Sequence, residues 1–264
     1  MSTATRPRPA DAHKDWAVPN LQRGLAILEY LASERHDASI TQLSAQLKIS
    51  TASVFRITGA LVELGYLARE PQTKRYSLTN KFLRLGQPRS RDESLAGCAL
   101  DALRAIRQQT RETTQLCCLI DAEMVIIDQL LALHPFKYSA DLGARCPAYS
   151  CAPGKAIVAF LPADEQEALL EQLRFKKFTE TTITSKRALR DELARARDCG
   201  YAIDRAEGMP GIHCVAAPIL DHHGRAVGAI TIAGPANRVP EAEFSAIGQL
   251  IIRGTQRTAE RFNR

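Results

Sequence analysis

Between residues 20 and 78 the chain carries a fixed order of helix starts and stops, and that order admits few folds. Leu21, Leu25, Leu28 and Leu31 recur at helical spacing, which predicts a first helix over residues 20–32 with one apolar stripe. After a loop at 34–38, Ser39 and Gln42 stand three apart as a capping box, in which each side chain satisfies a free backbone N–H at a helix start. A short helix carrying Leu43 and Leu47 follows. Residues 48–50 break it, and Ser50 is placed to cap a third helix over 51–64. Val54, Ile57, Leu61 and Leu64 form the expected buried stripe of that helix; Ser53, Arg56, Gly59, Ala60 and Glu63 form its other face. Gly65 stops it as a glycine beyond the last turn. Residues 66–69 and 75–78 read as paired strands around the turn 71–74. Helix, short helix, turn, helix and hairpin in that order are a winged helix-turn-helix.

Charge is distributed to match. The 264-residue chain has a formal net charge of +6. Residues 1–91 hold 14 Lys and Arg against 7 Asp and Glu, so the first third carries +7 and everything after it −1. Such asymmetry points to a polyanion-binding module joined to a near-neutral one, although a basic solvated face would read the same way. A helix-turn-helix offers the start of its second helix to the major groove. Thr51, Ser53 and Arg56 occupy that start; Arg can fork onto guanine O6 and N7, and the hydroxyls can reach bases or phosphates. Thr51 and Ser53 could equally do no more than complete a cap. Lys74 and Arg75 sit on the wing, suited to phosphates, and Arg23 lies on the polar side of the first helix.

The rest of the chain mixes strands and helices. Helices are expected over 78–85 and 95–109, with a linker at 89–93. Residues 114–120 and 124–131 read as a hairpin, then 154–161, 163–173 and 186–199 as helices, and 201–205 as a strand. Residues 213–220 and 226–232 form a second hairpin, and 241–261 a closing helix. Hairpins with helices between them imply an α+β domain with a mostly antiparallel sheet. The domain plan is therefore a disordered tail at 1–19, the winged module at 20–79, a linker helix at 80–94 and an effector module at 95–264.

Seven cysteines occur, none before Cys98 and none as C-x-x-C. That spacing argues against a zinc site, and reduced, mostly buried thiols are the default. No metal and no cofactor is expected. No apolar run reaches the length of a membrane span and residues 1–19 lack a secretory apolar core, so a cytoplasmic protein with no membrane partner is expected.

Several fragments together resemble the IclR-type transcription regulators. They are the stretches 20–28, 40–44, 53–56, 65–67 and 75–78 in the first module, and 152–156, 200–204, 211–219 and 228–235 in the second. The resemblance covers nearly all of 20–261. It implies a GAF-like domain that binds a small, often acidic or aromatic, metabolite. It also implies a homodimer or dimer of dimers on a double-stranded DNA operator. Carried over position by position, Arg23, Ser39, Thr51, Ser53 and Arg56 would face DNA. Ala152, Pro153, Gly154, Lys155, Asp204, Cys214 and Thr231 would line the effector site. Three departures stand out. Ala52-Ser53 replaces the family's Ser-Thr, Ala233 replaces one small hydroxyl residue beside Thr231, and Glu207 alters the acidic spacing after Asp204.

On chemistry alone, Gly154 is placed near a helix N-terminus, where free N–H groups favour a carboxylate. Lys155 could add charge there or be an ordinary surface lysine. Cys214 could be an inert buried thiol, and Asp204 could bond a ligand hydroxyl or a loop N–H. His213 and Cys214 adjoin in a strand and so face opposite ways, which disfavours a thiol–imidazole pair. A ligand-responsive DNA-binding regulator that is not an enzyme is the expected function. A thiol-dependent enzyme and a DNA-binding adaptor without effector are the alternatives.

Overall fold

A computed structural model describes residues 18–33, 37–86 and 93–264. Residues 1–17 of the expected tail at 1–19, 34–36 of the loop at 34–38 and 89–92 of the linker at 89–93 lie outside the described residues. The chain divides into two compact units, Met1–Leu85 and Gly86–Arg264.

In the first unit α1 (Pro19–Ser33), α2 (Ile40–Leu47) and α3 (Thr51–Glu63) enclose a small core of Ile27, Leu31, Leu43, Val54, Leu67 and Tyr76. The capping box is present: Ser39 accepts from Gln42 N, and the Gln42 side chain accepts from Ser39 N. Ser50 caps α3 by accepting from Ser53 N. The α1 stripe differs from expectation. Ile27 and Leu31 are buried, whereas Leu21 and Leu25 are 59% and 49% exposed. Helix α1 is apolar on two sides, and the core takes the side carrying Ile27. In α3 the buried position after Val54 is Thr58, not Ile57, and Leu64 is exposed. The Thr58 hydroxyl donates to Val54 O at 2.9 Å, so a threonine fills a core position without leaving an unpaired polar group.

The wing pairs β1 (Leu67–Arg69) with β2 (Tyr76–Leu78), antiparallel. Ala38 adds a bridge to Tyr76. Helix α4 (Lys81–Gly86) begins three residues later than expected. Leu78 belongs to β2, and Thr79 closes the corner: its hydroxyl donates to Gly65 O at 2.7 Å and accepts from Lys81 N.

The second unit centres on a six-stranded sheet in the order β5-β4-β3-β8-β7-β6. The strands are β3 (Thr113–Ile120), β4 (Glu123–Leu130), β5 (Arg145–Pro147), β6 (Ala202–Arg205), β7 (Ile212–Leu220) and β8 (Ala226–Pro235). Every neighbouring pair is antiparallel, so the unit is α+β as expected. Strand β5 is an addition that three residues ending in proline did not announce. Helices α5 (Leu95–Thr110) and α9 (Phe244–Phe262) pack on each other and on one face of the sheet. Helix α6 (Ala152–Ala159) lies on the other, backed by α8 (Lys186–Cys199), with α7 (Ala163–Gln172) alongside.

Alternation along β3 separates the faces. Thr114 donates to Leu103 O of α5 at 3.2 Å. Thr113, Gln115 and Cys117 therefore face the α6 side.

Candidate functional site

The helix-turn-helix of the first unit presents α3 with Thr51, Phe55 and Arg56 exposed and Ser53 half-buried. Ser50 Oγ donates to Ser53 Oγ at 2.9 Å, so both the N–H and the hydroxyl of Ser53 take part in the cap. Thr51 Oγ1 lies 3.4 Å from Ser44 Oγ. Ser39 is engaged at the start of α2, where its hydroxyl also meets Thr41 at 2.9 Å. Arg23 is exposed and donates to Asn20 Oδ1 at 3.5 Å.

The wing residues diverge. Lys74 is exposed at the turn, in a left-handed conformation with φ 58°. Arg75 is not free on the wing. Its guanidinium pairs with Asp37, Nε to Oδ1 at 2.9 Å, and donates to Asp37 O at 2.5 Å. Phe55, an exposed aromatic beside Arg56, lies outside the apolar stripe expected for α3.

In the second unit, strand register sets out two rows of side chains on the α6 side of the sheet. Asp204, Cys214, Ala233 and Thr113 are consecutive cross-strand partners. The adjacent row runs Ala202, Ala216, Thr231, Gln115 and Gln129. Three expected effector residues, Asp204, Cys214 and Thr231, thus share one face. Gln115 and Gln129 join them: Gln115 Nε2 donates to Gln129 Oε1 at 3.3 Å, and Gln129 donates to Ala140 O. Thr231 donates to Val215 O at 3.0 Å. Thr113 Oγ1 donates to Tyr138 O at 2.6 Å, which fixes the loop between β4 and β5 above this face.

The start of α6 covers the rest. Helix α6 begins at Ala152, two residues before expectation, because Pro153 suits its first turn. Gly154 is needed for contact: a Cβ there would lie 2.5 Å from Ala148 Cα and O. Lys155 is not a surface residue. Its side chain is 0% exposed, with Nζ 2.6 and 2.7 Å from the Glu207 oxygens and 3.7 Å from Glu192. Glu207 is pinned further, since Asp204 Oδ1 accepts its N–H at 2.7 Å and Thr182 donates to its carbonyl at 2.6 Å. Burial pushes the Asp204 carboxyl up to about 7, against the downward pull of Lys155. Burial, with the Asp204 charge beside it, raises the Cys214 thiol well above an ordinary thiol. His213 turns the other way, its Nδ1 2.9 Å from Val239 O and its ring edge-on to Phe244. The two adjacent residues do not form a catalytic pair.

Among the described residues no group of three or more His, Cys, Asp and Glu is arranged to hold a metal. No helix among them is long and apolar enough to cross a membrane.

Residues 20–71 match the IclR helix-turn-helix domain, and residues 92–259 match the bacterial transcriptional regulator IclR C-terminal domain. The chain belongs to the IclR family. The HTH-type transcriptional regulator KdgR of Escherichia coli K12 is 32% identical over 225 residues, 85% of each chain. The transcriptional repressor IclR of the same strain is 26% identical over 253 residues, 95% of this chain and 92% of the relative. The crystal structure of Thermotoga maritima IclR superposes with a TM-score of 0.69 at 29% identity, covering 92% of this chain and 98% of that one. This IclR-family chain is accordingly a DNA-binding transcriptional regulator. What the sequence did not reveal in it is the glutamine pair and the Lys155–Glu207 contact. The one available signal was Thr113, Gln115 and Cys117, a polar period of two inside a strand buried on both faces.

Proposed function

We propose that a small-molecule effector binds the polar face of the second unit and alters how the regulator holds its operator. The observation that carries this is the pair of cross-strand rows placing Asp204, Cys214, Thr231, Gln115 and Gln129 together under α6 and the Tyr138 loop. Polar side chains are seldom gathered on a buried sheet face for packing alone, since each must find a partner. An organic acid or aromatic metabolite suits the site. The first turn of α6, with Ala152, Pro153 and Gly154, offers main-chain donors to a carboxylate. Lys155 supports that turn from behind through Glu207.

On the DNA side, Arg56 and Thr51 at the start of α3 read bases, and Lys74 and Arg23 contact phosphate. Ser39 and Ser53 hold the two helix starts in position, and Arg75 braces the wing through Asp37.

The regulator acts as a homodimer or a dimer of dimers. Exposed Leu21 and Leu25 of α1 suit self-association, and helices α4 and α5 contribute further surface. Effector binding changes which spacing of operator half-sites the paired wings span.

A thermal-shift screen with small organic and aromatic acids tests the reading. A ligand at about 100 times its Kd raises stability by about 2.7 kcal/mol. The hit must also shift operator binding in a mobility assay, and Thr231→Val must weaken it. Operator binding indifferent to every stabilising ligand would reject effector control.

A further inference from the structure

Burial raises the Tyr138 hydroxyl, and Cys117 from β3, Cys146 from β5, Cys151 before α6 and Cys214 from β7 lie near enough to push it the same way. Cys117 and Cys151 are buried in one cluster with Met124 and Ile126, and Cys146 packs against it. Cys146 is half-buried, the more accessible of the pair it makes with Cys151. Cys146 beside it, together with burial, raises the Cys151 thiol well above the ordinary range. The chain between them is short and fixed. A 3-10 turn (Ala148–Ser150) doubles it back, Ala148 N donates to Ala122 O at 3.0 Å, and Ser150 Oγ donates to Pro147 O at 3.0 Å. Gly154 and Gly208 both pack against this turn with no room for a Cβ. Cys151 Sγ comes within 3.8 Å of the carbonyl of Pro147, the residue after Cys146.

We propose that Cys146 and Cys151 are a thiol modification site that takes small disulfide oxidants and closes to an intramolecular disulfide. Ionised Cys146 attacks one sulfur of the small disulfide, forming a mixed disulfide and expelling a thiolate. Cys151 gives its proton to that thiolate, and its sulfur attacks the Cys146 sulfur. The second small thiolate leaves and takes up the proton that Cys146 had released. Two protein thiols are oxidised and one small disulfide is reduced to two thiols. The second step is favoured because the turn already holds the partners together, which removes most of its entropic cost. Cys117 and Cys214 are spectators: each is fixed by pairing within a strand, β3 and β7, outside the short turn that joins Cys146 to Cys151. The product ties β5 to the start of α6, both of which border the polar face. The proposal stands independently of any effector.

The test uses the full-length reduced protein, treated with oxidised glutathione under native conditions, alkylated and digested with trypsin. Cleavage after Arg145 and Lys155 leaves both cysteines on one peptide. The expected peptide is two hydrogens lighter and resists alkylation until reduced, while exposed Cys199 carries glutathione. In Cys151→Ser, Cys146 stops at the glutathione adduct. The proposal is overturned if Cys146 and Cys151 are both alkylated while Cys199 is modified. A glutathione adduct persisting on wild-type Cys146 overturns it equally. Both outcomes are read on the unmutated chain, so they do not depend on a variant folding.

Discussion

Lys155 and Glu207 form a buried ion pair, Nζ lying 2.6 and 2.7 Å from the two carboxylate oxygens. It joins α6 to the segment after β6, and so fixes the roof of the polar face against one edge of its floor. The two residues stand 52 apart in sequence. Removing one partner strands the other charge away from water. Glu207→Ala should therefore destabilise the second unit by about 3–5 kcal/mol, whereas Lys155→Met with Glu207→Leu should recover much of that loss. Urea denaturation of the two variants checks it. Equal loss in both would show that the contact matters for packing rather than charge.

Asp204 makes the same region pH-dependent. Its carboxyl is held at about 7 in the folded chain, chiefly by burial, against an ordinary value of 3.8. The folded state thus binds the proton more tightly than the unfolded state. The resulting stability is complete below about pH 4 and is lost as pH rises to about 7 and through it. Asp204→Asn keeps an oxygen to accept the Glu207 N–H and removes the titration. The stability difference, variant minus wild type, should grow between pH 4 and 7 and then level off. Denaturation curves at pH 4.5, 6 and 7.5 read it directly; a constant difference would place the Asp204 carboxyl in the ordinary range.

Gly154→Ala sets helix propensity against packing. In a helix interior alanine is favoured by about 1 kcal/mol. Here the new Cβ would meet the Ala148 backbone at 2.5 Å, and backbone cannot swing aside as a side-chain tip can. Overpacking of this kind costs about 1–3 kcal/mol, so net destabilisation is expected. A variant as stable as wild type would mean that the 3-10 turn relaxes freely, which would also weaken the case for a rigid Cys146–Cys151 seat.

The first unit was largely legible in the sequence because its signals are local. Ser39 with Gln42, Ser50 and Gly65 each act within a few residues, and each appears where the spacing puts it. The misreadings came where a helix is apolar on more than one side. Nothing in α1 alone tells the stripe of Leu21 and Leu25 from that of Ile27 and Leu31, since only tertiary packing chooses between them. The polar face was half legible. Asp204, Cys214 and Thr231 came through a family resemblance, not through pattern. Gln129, Glu207 and Cys146 owe their places to register between strands and to long-range closure, and neither leaves a mark within a sequence window. Lys155 shows the limit most plainly: a lone lysine after a glycine reads as solvated until its partner is found 52 residues away.

The basic residues of the first unit should separate by experiment into three kinds. Arg56 is exposed at the start of α3 with no protein partner among the contacts described, so it is free to fork onto a base. Arg56→Ala should cost about 1–3 kcal/mol on the operator and relax preference at one position, with little effect on random DNA. Lys74, exposed on the wing, is the proposed phosphate contact; its replacement by Ala should weaken operator and random DNA alike and reduce the slope of log affinity against log salt by about 1. Arg75 is already spent on Asp37. Arg75→Ala should leave that salt slope unchanged and instead loosen the wing, lowering thermal stability by a modest amount, since the pair is partly exposed. Fluorescence anisotropy over a salt series, run with operator and scrambled duplexes, distinguishes the three. An Arg75→Ala slope that fell as far as that of Lys74→Ala would show that Arg75 leaves Asp37 for the phosphate backbone when DNA is bound.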